Sequence, residues 1–261
     1  MPIVGAALVP NSPLLLPGLK SQVRKAVVKT TTALNQLGSE LSLRSPDIIF
    51  VISSVSSDTK LTKSDWAFLQ NQSVTLDYSF LGDFISQQSI KMAVGFTHRL
   101  KETLESLFPI PLVSVSNLPY TAGVPLLIFG QSLVDKPLVY LQVPQKIDLE
   151  NLNLVSQHLY EQLQSSSERV VILAAGELGR VIGTNQVEAK LFNQQFVNFS
   201  RQDDWSSIYN FPTELLELSG QSIWSPAVLL KSFLANKKIN LNLISFEAPY
   251  EAGWLTAEFI Y

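Results

Sequence analysis

The chain has no cysteine and only two histidines, His98 and His158, in 261 residues. The missing cysteine excludes disulfides, thiol nucleophiles and thiolate metal sites, and it accords with a reducing, cytoplasmic setting. Histidine is the usual metal-binding imidazole and the usual general base, so either chemistry has little to draw on. Charge is scarce too, at 16% charged residues against 46% hydrophobic. The net charge of −3 gives no reason to expect nucleic acid or an anionic membrane as partner. No apolar run approaches the length of a membrane span, which predicts no transmembrane segment. The apolar N-terminus lacks the basic start of a signal peptide, and Pro2, Pro10, Pro13 and Pro17 would break its helix.

What is present is an alternation of strand and helix patterns. Ile3–Val9 reads as a buried first strand, followed by a proline-rich loop. Residues 20–43 carry Val23, Val27, Val28, Leu34, Leu37 and Leu41 at helical spacing, and their cluster of lysines reads as the wet face of that helix. Residues 47–53 are short, β-branched and almost uniformly apolar, the pattern of a strand covered on both faces. A serine-rich loop covers 54–58, and 59–87 reads as irregular around Trp66, Phe68, Phe80 and Phe84. A helix is predicted over 90–107, ending before Pro109. Beyond it the pattern predicts strands at 111–116, 137–143, 169–174, 240–247 and 254–260. Helices are predicted at 149–164, 187–199, 213–218 and 226–235, with a helix or apolar turn at 124–132. No linker, repeat or low-complexity tract divides the chain. The prediction is one three-layer α/β/α domain over residues 1–261 with a mostly parallel or mixed central sheet. Sites in such sheets form in the loops beyond strand ends. Here those loops begin at Asn11, Ser54, Asn117, Gly176 and Glu247.

At these loops the motifs, taken in order, resemble one family. Val9-Pro10-Asn11-Ser12-Pro13 resembles a strand end Val-Pro-His-x-Pro, and Val51-Ile52-Ser53-Ser54-Val55 resembles Val-Ile-Ser-Pro-His. Leu118-Pro119-Tyr120-Thr121-Ala122-Gly123-Val124-Pro125-Leu126 is similar to Leu-Asp-His-Gly, two residues, then Val-Pro-Leu. Gly176-Glu177-Leu178-Gly179-Arg180 resembles Gly-Asp-Leu-Ser-His, and the segment from Phe246 to Trp254 is similar to Tyr-Glu-x-Pro-Phe-Gly-x-Gly-Tyr. The family is the class III extradiol dioxygenases, that of the protocatechuate 4,5-dioxygenase β subunit, with the related Memo-like proteins. The resemblance implies a class III extradiol dioxygenase-like fold over nearly the whole chain. In active members, Fe(II) is held by two histidines and one glutamate, with open positions for a catechol and O₂.

Carried over position by position, the resemblance places the metal ligands at Asn11, Val55 and Glu247, of which Glu247 alone keeps the family residue. The acid/base histidine falls on Arg180 and the middle-motif histidine on Tyr120. An amide is a poor partner for Fe(II), a valine is none, and an arginine has no atom that accepts a proton. No metal or other cofactor is therefore expected. Asn11, Val55, Tyr120, Glu177, Arg180 and Glu247 form the candidate pocket, with Arg180 expected between Glu177 and Glu247 where iron would sit.

Plainer readings stand beside these. Glu247 also reads as a strand-end acid paired with Arg180 or solvent, Asn11 as a turn residue closing its own backbone, and Tyr120 as a buried phenol with one partner. Ser53, Ser54, Ser56 and Ser57 have no histidine nearby in sequence to activate them. His98 and His158 fall inside predicted helices, and Gly176–Gly179 matches neither a P-loop nor a dinucleotide fingerprint. Asp58, Asp83, Asp203 and Asp204 read as solvated loop acids. Two functions remain open. One is a catalytically inactive homologue that binds a small molecule or a protein. The other is an active oxidoreductase for an aromatic or catecholic substrate, with a rebuilt carboxylate-containing site. The resemblance implies a homo-oligomer or a second subunit as partner.

Overall fold

The computed structural model describes residues 2–54, 66–107, 109–234 and 239–260. The apolar β-branched runs become the strands β1 (Ile3–Val9), β2 (Ile48–Ser54), β7 (Leu138–Val143) and β8 (Val170–Ala175). The four run parallel in the order β7-β2-β8-β1, and almost every residue in them is buried. Short β3 (Ala67–Leu69) and β6 (Leu112–Val113) extend one side, and β9 (Asn240–Glu247) and β10 (Trp254–Ile260) extend the other. The result is an eight-stranded mixed sheet in the order β6-β3-β7-β2-β8-β1-β10-β9. A separate hairpin pairs β4 (Ser73–Leu76) with β5 (Gln88–Lys91).

Helices cover both faces, because strands apolar on both sides must be covered on both. On one face lie α2 (Val28–Leu43), preceded by α1 (Ser21–Ala26), and α4 (Tyr120–Phe129), followed by the short α5 (Gln131–Val134). From Thr121 to Phe129, every residue of α4 except Leu127 is buried. The other face takes α3 (Val94–Glu105), α6 (Leu149–Ser165), α7 (Gln186–Arg201), α8 (Trp205–Tyr209), α9 (Thr213–Leu218) and α10 (Trp224–Phe233). The chain thus leaves β1 toward α2 on one face and leaves the adjacent β8 toward α7 on the other. That divergence at the carboxyl ends of neighbouring parallel strands is a topological switch point.

The structure departs from the predicted elements in five places, each for a local reason. The helix predicted over 20–43 breaks at Val27, whose backbone leaves the helical region at φ −112°, ψ 11°. Residues 88–91 pair as β5, so the helix predicted from residue 90 starts at Val94. The strand predicted over 111–116 pairs only at Leu112 and Val113. The helix predicted from 124 begins at Tyr120, directly after Pro119. Finally, Asp83 is not a solvated loop acid. It is fully buried, and its Oδ1 accepts from Ile85 N at 3.1 Å and Ser86 N at 3.2 Å.

One buried charge ties the end of α2 to β10, the strand it packs against. Glu258 on β10 is buried and paired with Arg44 at the end of α2, which also donates to Val4 O at 3.0 Å. Burial raises the Glu258 carboxyl above its ordinary 4.5, and the Arg44 charge opposes that rise. Glu258 therefore holds its proton more tightly in the folded chain, so the fold loses stability as pH climbs above that value. We predict that Arg44→Met costs roughly 1–3 kcal/mol at pH 7 and clearly less near pH 4, where Glu258 takes up a proton. Urea unfolding at both pH values measures this, and an equal loss at the two would count against it.

Candidate functional site

A polar group at the carboxyl edge of this sheet lies under covering loops and helices, so it must find a protein partner. Asn11, Ser12, Ser53, Ser54, Thr121, Tyr140, Gln142 and Glu177 are all buried there. Ser53 Oγ lies 3.0 Å from Tyr140 Oη and 3.0 Å from Thr121 Oγ1, joining β2, β7 and α4. Ser54 Oγ donates to Ser222 O at 2.9 Å, which draws the turn before α10 over the end of β2. Ser53 is therefore a bonded structural hydroxyl. His98 sits on α3, and His158, on α6, holds Nδ1 2.8 Å from Leu154 O. Val55, Ser56, Ser57 and Asp58 lie outside the described residues.

Glu177 is the best-fixed group at the switch point. Its N–H donates to Ser222 Oγ at 2.9 Å, and its carbonyl accepts from Ser222 N at 2.9 Å and Ile223 N at 3.1 Å. Its carboxylate accepts from Trp254 Nε1 at 3.2 Å and lies 3.4 Å from Arg180 Nη1. Close backbone approach explains the glycine before it. A Cβ on Gly176 would stand 2.5 Å from Ile223 Cα, inside the turn that makes these bonds. Further on, the Asn193 amide on α7 brackets Gly179, accepting from its N–H at 2.6 Å and donating to its carbonyl at 3.3 Å.

Arg180 does not sit between two carboxylates. Among the described residues it pairs with Glu177 alone, and its side chain is 39% exposed. Glu247 faces α2 instead. Its Oε1 accepts from Thr30 N at 3.0 Å and from the Thr30 hydroxyl. The break at Val27 explains why. It starts a new helix with no side-chain cap of its own and leaves the Thr30 N–H without an intrahelical acceptor. A carboxylate reaching in from β9 fills that place and meets the positive end of the helix dipole.

Asn11 leaves β1 where Glu177 leaves β8, since Val9 pairs with Ala175 and Gly176 N donates to Val9 O at 3.0 Å. Among the described residues, no side-chain bond of Asn11 closes its own turn, and its buried Nδ2 and the neighbouring Ser12 Oγ have no partner. Tyr120 opens α4 half-buried, packed against the core on the α2 side. The structure thus brings Asn11, Glu177 and Arg180 to one switch point and turns Glu247 away toward a helix end. Sequence reasoning missed Ser12, Trp254 and Ser222. Ser12 and Trp254 stand inside the resembling motifs, whereas Ser222 carries no sequence signal. Among the described residues, no three His, Asp or Glu side chains gather as a metal-binding group.

No family model and no curated protein matches this chain. Its structure is similar to the crystal structure of an uncharacterized protein, JW3007, from Escherichia coli K12. The TM-score is 0.64 at 13% identity, covering 98% of this chain and 99% of that one. At that identity the likeness concerns the fold: an α/β protein with a large mixed sheet and helices.

If Glu247 is a helix cap and Arg180 a half-exposed partner of Glu177, their substitutions rank in a set order. We predict that Glu247→Leu lowers stability by about 1–2 kcal/mol. Arg180→Met should cost less than about 1 kcal/mol, because water already solvates much of the guanidinium. Chemical denaturation of both variants tests the order, and the reverse ranking would make Arg180 the centre of the cluster.

Proposed function

We propose that this chain is a class III extradiol dioxygenase-like protein that has kept the sheet, lost the iron chemistry and now acts by binding. The observation that carries this reading is the engagement of Glu247 by the N-terminus of α2. Glu247 is the one ligand position at which the resemblance keeps the family residue, and its Oε1 already accepts two protein donors. The other donors do not fit Fe(II) either. Asn11 offers a neutral amide, Val55 offers nothing, and Arg180 at the proton-transfer position has no atom that accepts a proton.

Binding of a small molecule is supported by the end of β1. Among the described residues, the buried Asn11 Nδ2 and Ser12 Oγ have no partner at the switch point where ligands of open α/β sheets lie. An unpartnered buried donor costs free energy until an acceptor reaches it. A ligand with a carbonyl or hydroxyl oxygen meets that requirement.

Anaerobic incubation with Fe(II), desalting and metal analysis test the reading, with oxygen uptake on catechol as a second readout. The expected result is iron far below one per chain and no catechol-dependent oxygen uptake. Near-stoichiometric iron with ring cleavage would overturn it in favour of an active oxidoreductase with a rebuilt site.

A further inference from the structure

The switch point leaves unexplained a second region, on the α1 side of the molecule. The loop between β4 and β5 exposes Phe80 at 60%, Phe84 at 75% and Ile85 at 73% within six residues. Single exposed apolar residues are ordinary, but three on one tight loop call for a partner.

This loop is held in place. Asp83 anchors it from inside through Ile85 N and Ser86 N, and Asp83 N donates to Tyr78 O at 3.2 Å. The buried Asp83 carboxylate packs on Gly18, where a Cβ would stand 2.2 Å from Oδ1. The loop is thereby fixed to the segment that leads into α1. That segment and its helices carry Lys20, Arg24, Lys25 and Lys29, all exposed, beside Val28 at 60% exposure. The first acidic residue of the chain is Glu40, so nothing in sequence offsets these four cations. Among the described residues none of them forms an ion pair, although Lys29 Nζ donates to Phe246 O at 3.2 Å. At the rim, Asp77 is bonded to Ser79 N and Gln87.

Between the loop and the helix lie two small cavities that share Leu127, a residue of α4 that is not fully buried. One, of about 210 Å³, includes Ile85 and Gln87. The other, of about 300 Å³, is lined by Leu15, Leu16, Pro17, Val27 and Ile128, with Arg24 as its charged residue. The face therefore combines projecting aromatic and aliphatic side chains, an apolar recess and unpaired cations, on a chain whose net charge is −3.

We propose that this face docks on an anionic lipid bilayer, with Phe80, Phe84 and Ile85 entering the interface and Lys20, Arg24 and Lys25 meeting lipid headgroups. Whole-chain charge hides such a site, because the acids lie elsewhere in the sequence. A bilayer suits it better than a folded partner. Side chains that project by more than half their surface need a matching recess on a protein, whereas lipid yields to them. Basic residues near the surface add attraction to anionic lipid that salt screens. This reading is independent of the switch point.

Flotation with vesicles of phosphatidylcholine alone, and with a third phosphatidylglycerol, tests it at low and high salt. The full chain should float with the anionic vesicles at low salt and not with the neutral ones. Phe84→Ser with Ile85→Ser should weaken partitioning at least about tenfold. Lys20→Ala, Arg24→Ala and Lys25→Ala should each weaken it by roughly fivefold. Leu43→Ser, an exposed apolar change at the far end of α2, should leave it unchanged. All these side chains are exposed, and an unchanged melting temperature would confirm that the fold is intact. Failure to float on anionic vesicles at low salt would overturn the proposal, as would flotation that ignores the loop variant. A dimer in solution that the loop variant dissolves, with no vesicle binding, would assign the face to a second copy and equally overturn it.

Discussion

Four parallel strands covered on both faces impose one constraint on the rest of the molecule. Their flanks accept only apolar side chains, so polarity is pushed to the carboxyl edge, where loops close over it and water is excluded. Every polar atom placed there must be met by another part of the chain. Ser53 is met by Tyr140 and Thr121, Ser54 by the turn before α10, and Glu177 by Trp254, Arg180 and Ser222. These bonds draw α4, the turn before α10 and the start of β10 together over the sheet. The tight glycines at 176 and 179 are a consequence, because the backbone must pass under its own hydrogen-bond partners.

The fold was legible in the sequence wherever one local pattern decides the outcome. The uniform runs 48–54, 138–143 and 170–175 allow little but covered strands, and α6 and α7 follow from period and length. Legibility fails where the deciding partner lies far along the chain. Nothing near Val27 predicts a break in the helix, because the group that caps the new helix start is Glu247, 217 residues beyond Thr30. Asp83 looks like a loop acid because its burial depends on Gly18, in a loop 65 residues earlier that the backbone path brings against it. The site divides the same way. The strand-end positions could be read from motif order, but which carboxylate Arg180 would choose could not. Both glutamates were available by sequence, and only the path of β9 past α2 removes one of them.

The two glutamates show two ways to keep a carboxylate at an apolar sheet edge without a cation of full charge for each. Glu177 is buried deeper and takes a shared solution, with an indole N–H on one oxygen and a half-exposed guanidinium near the other. Glu247 is less buried and takes a cheaper one, two donors from a single helix turn plus the partial positive charge of the helix start. A divalent ion held at the same edge would compete with Thr30 for Glu247 Oε1 and with Trp254 and Arg180 for Glu177.

Asn11 and Ser12 run against this economy. They stand at the edge between two prolines, where Ser53, Ser54 and Glu177 have found partners, and still keep atoms unpartnered among the described residues. An apolar pair would avoid the cost of two buried orphans, which is roughly 1–3 kcal/mol for each. Asp83 Oδ2 and Thr97 Oγ1 are likewise unpartnered among the described residues, and what sets Asn11 and Ser12 apart is their place at the switch point. An acceptor arriving there from outside the chain would satisfy both, and that is the support this edge lends to the binding proposed above.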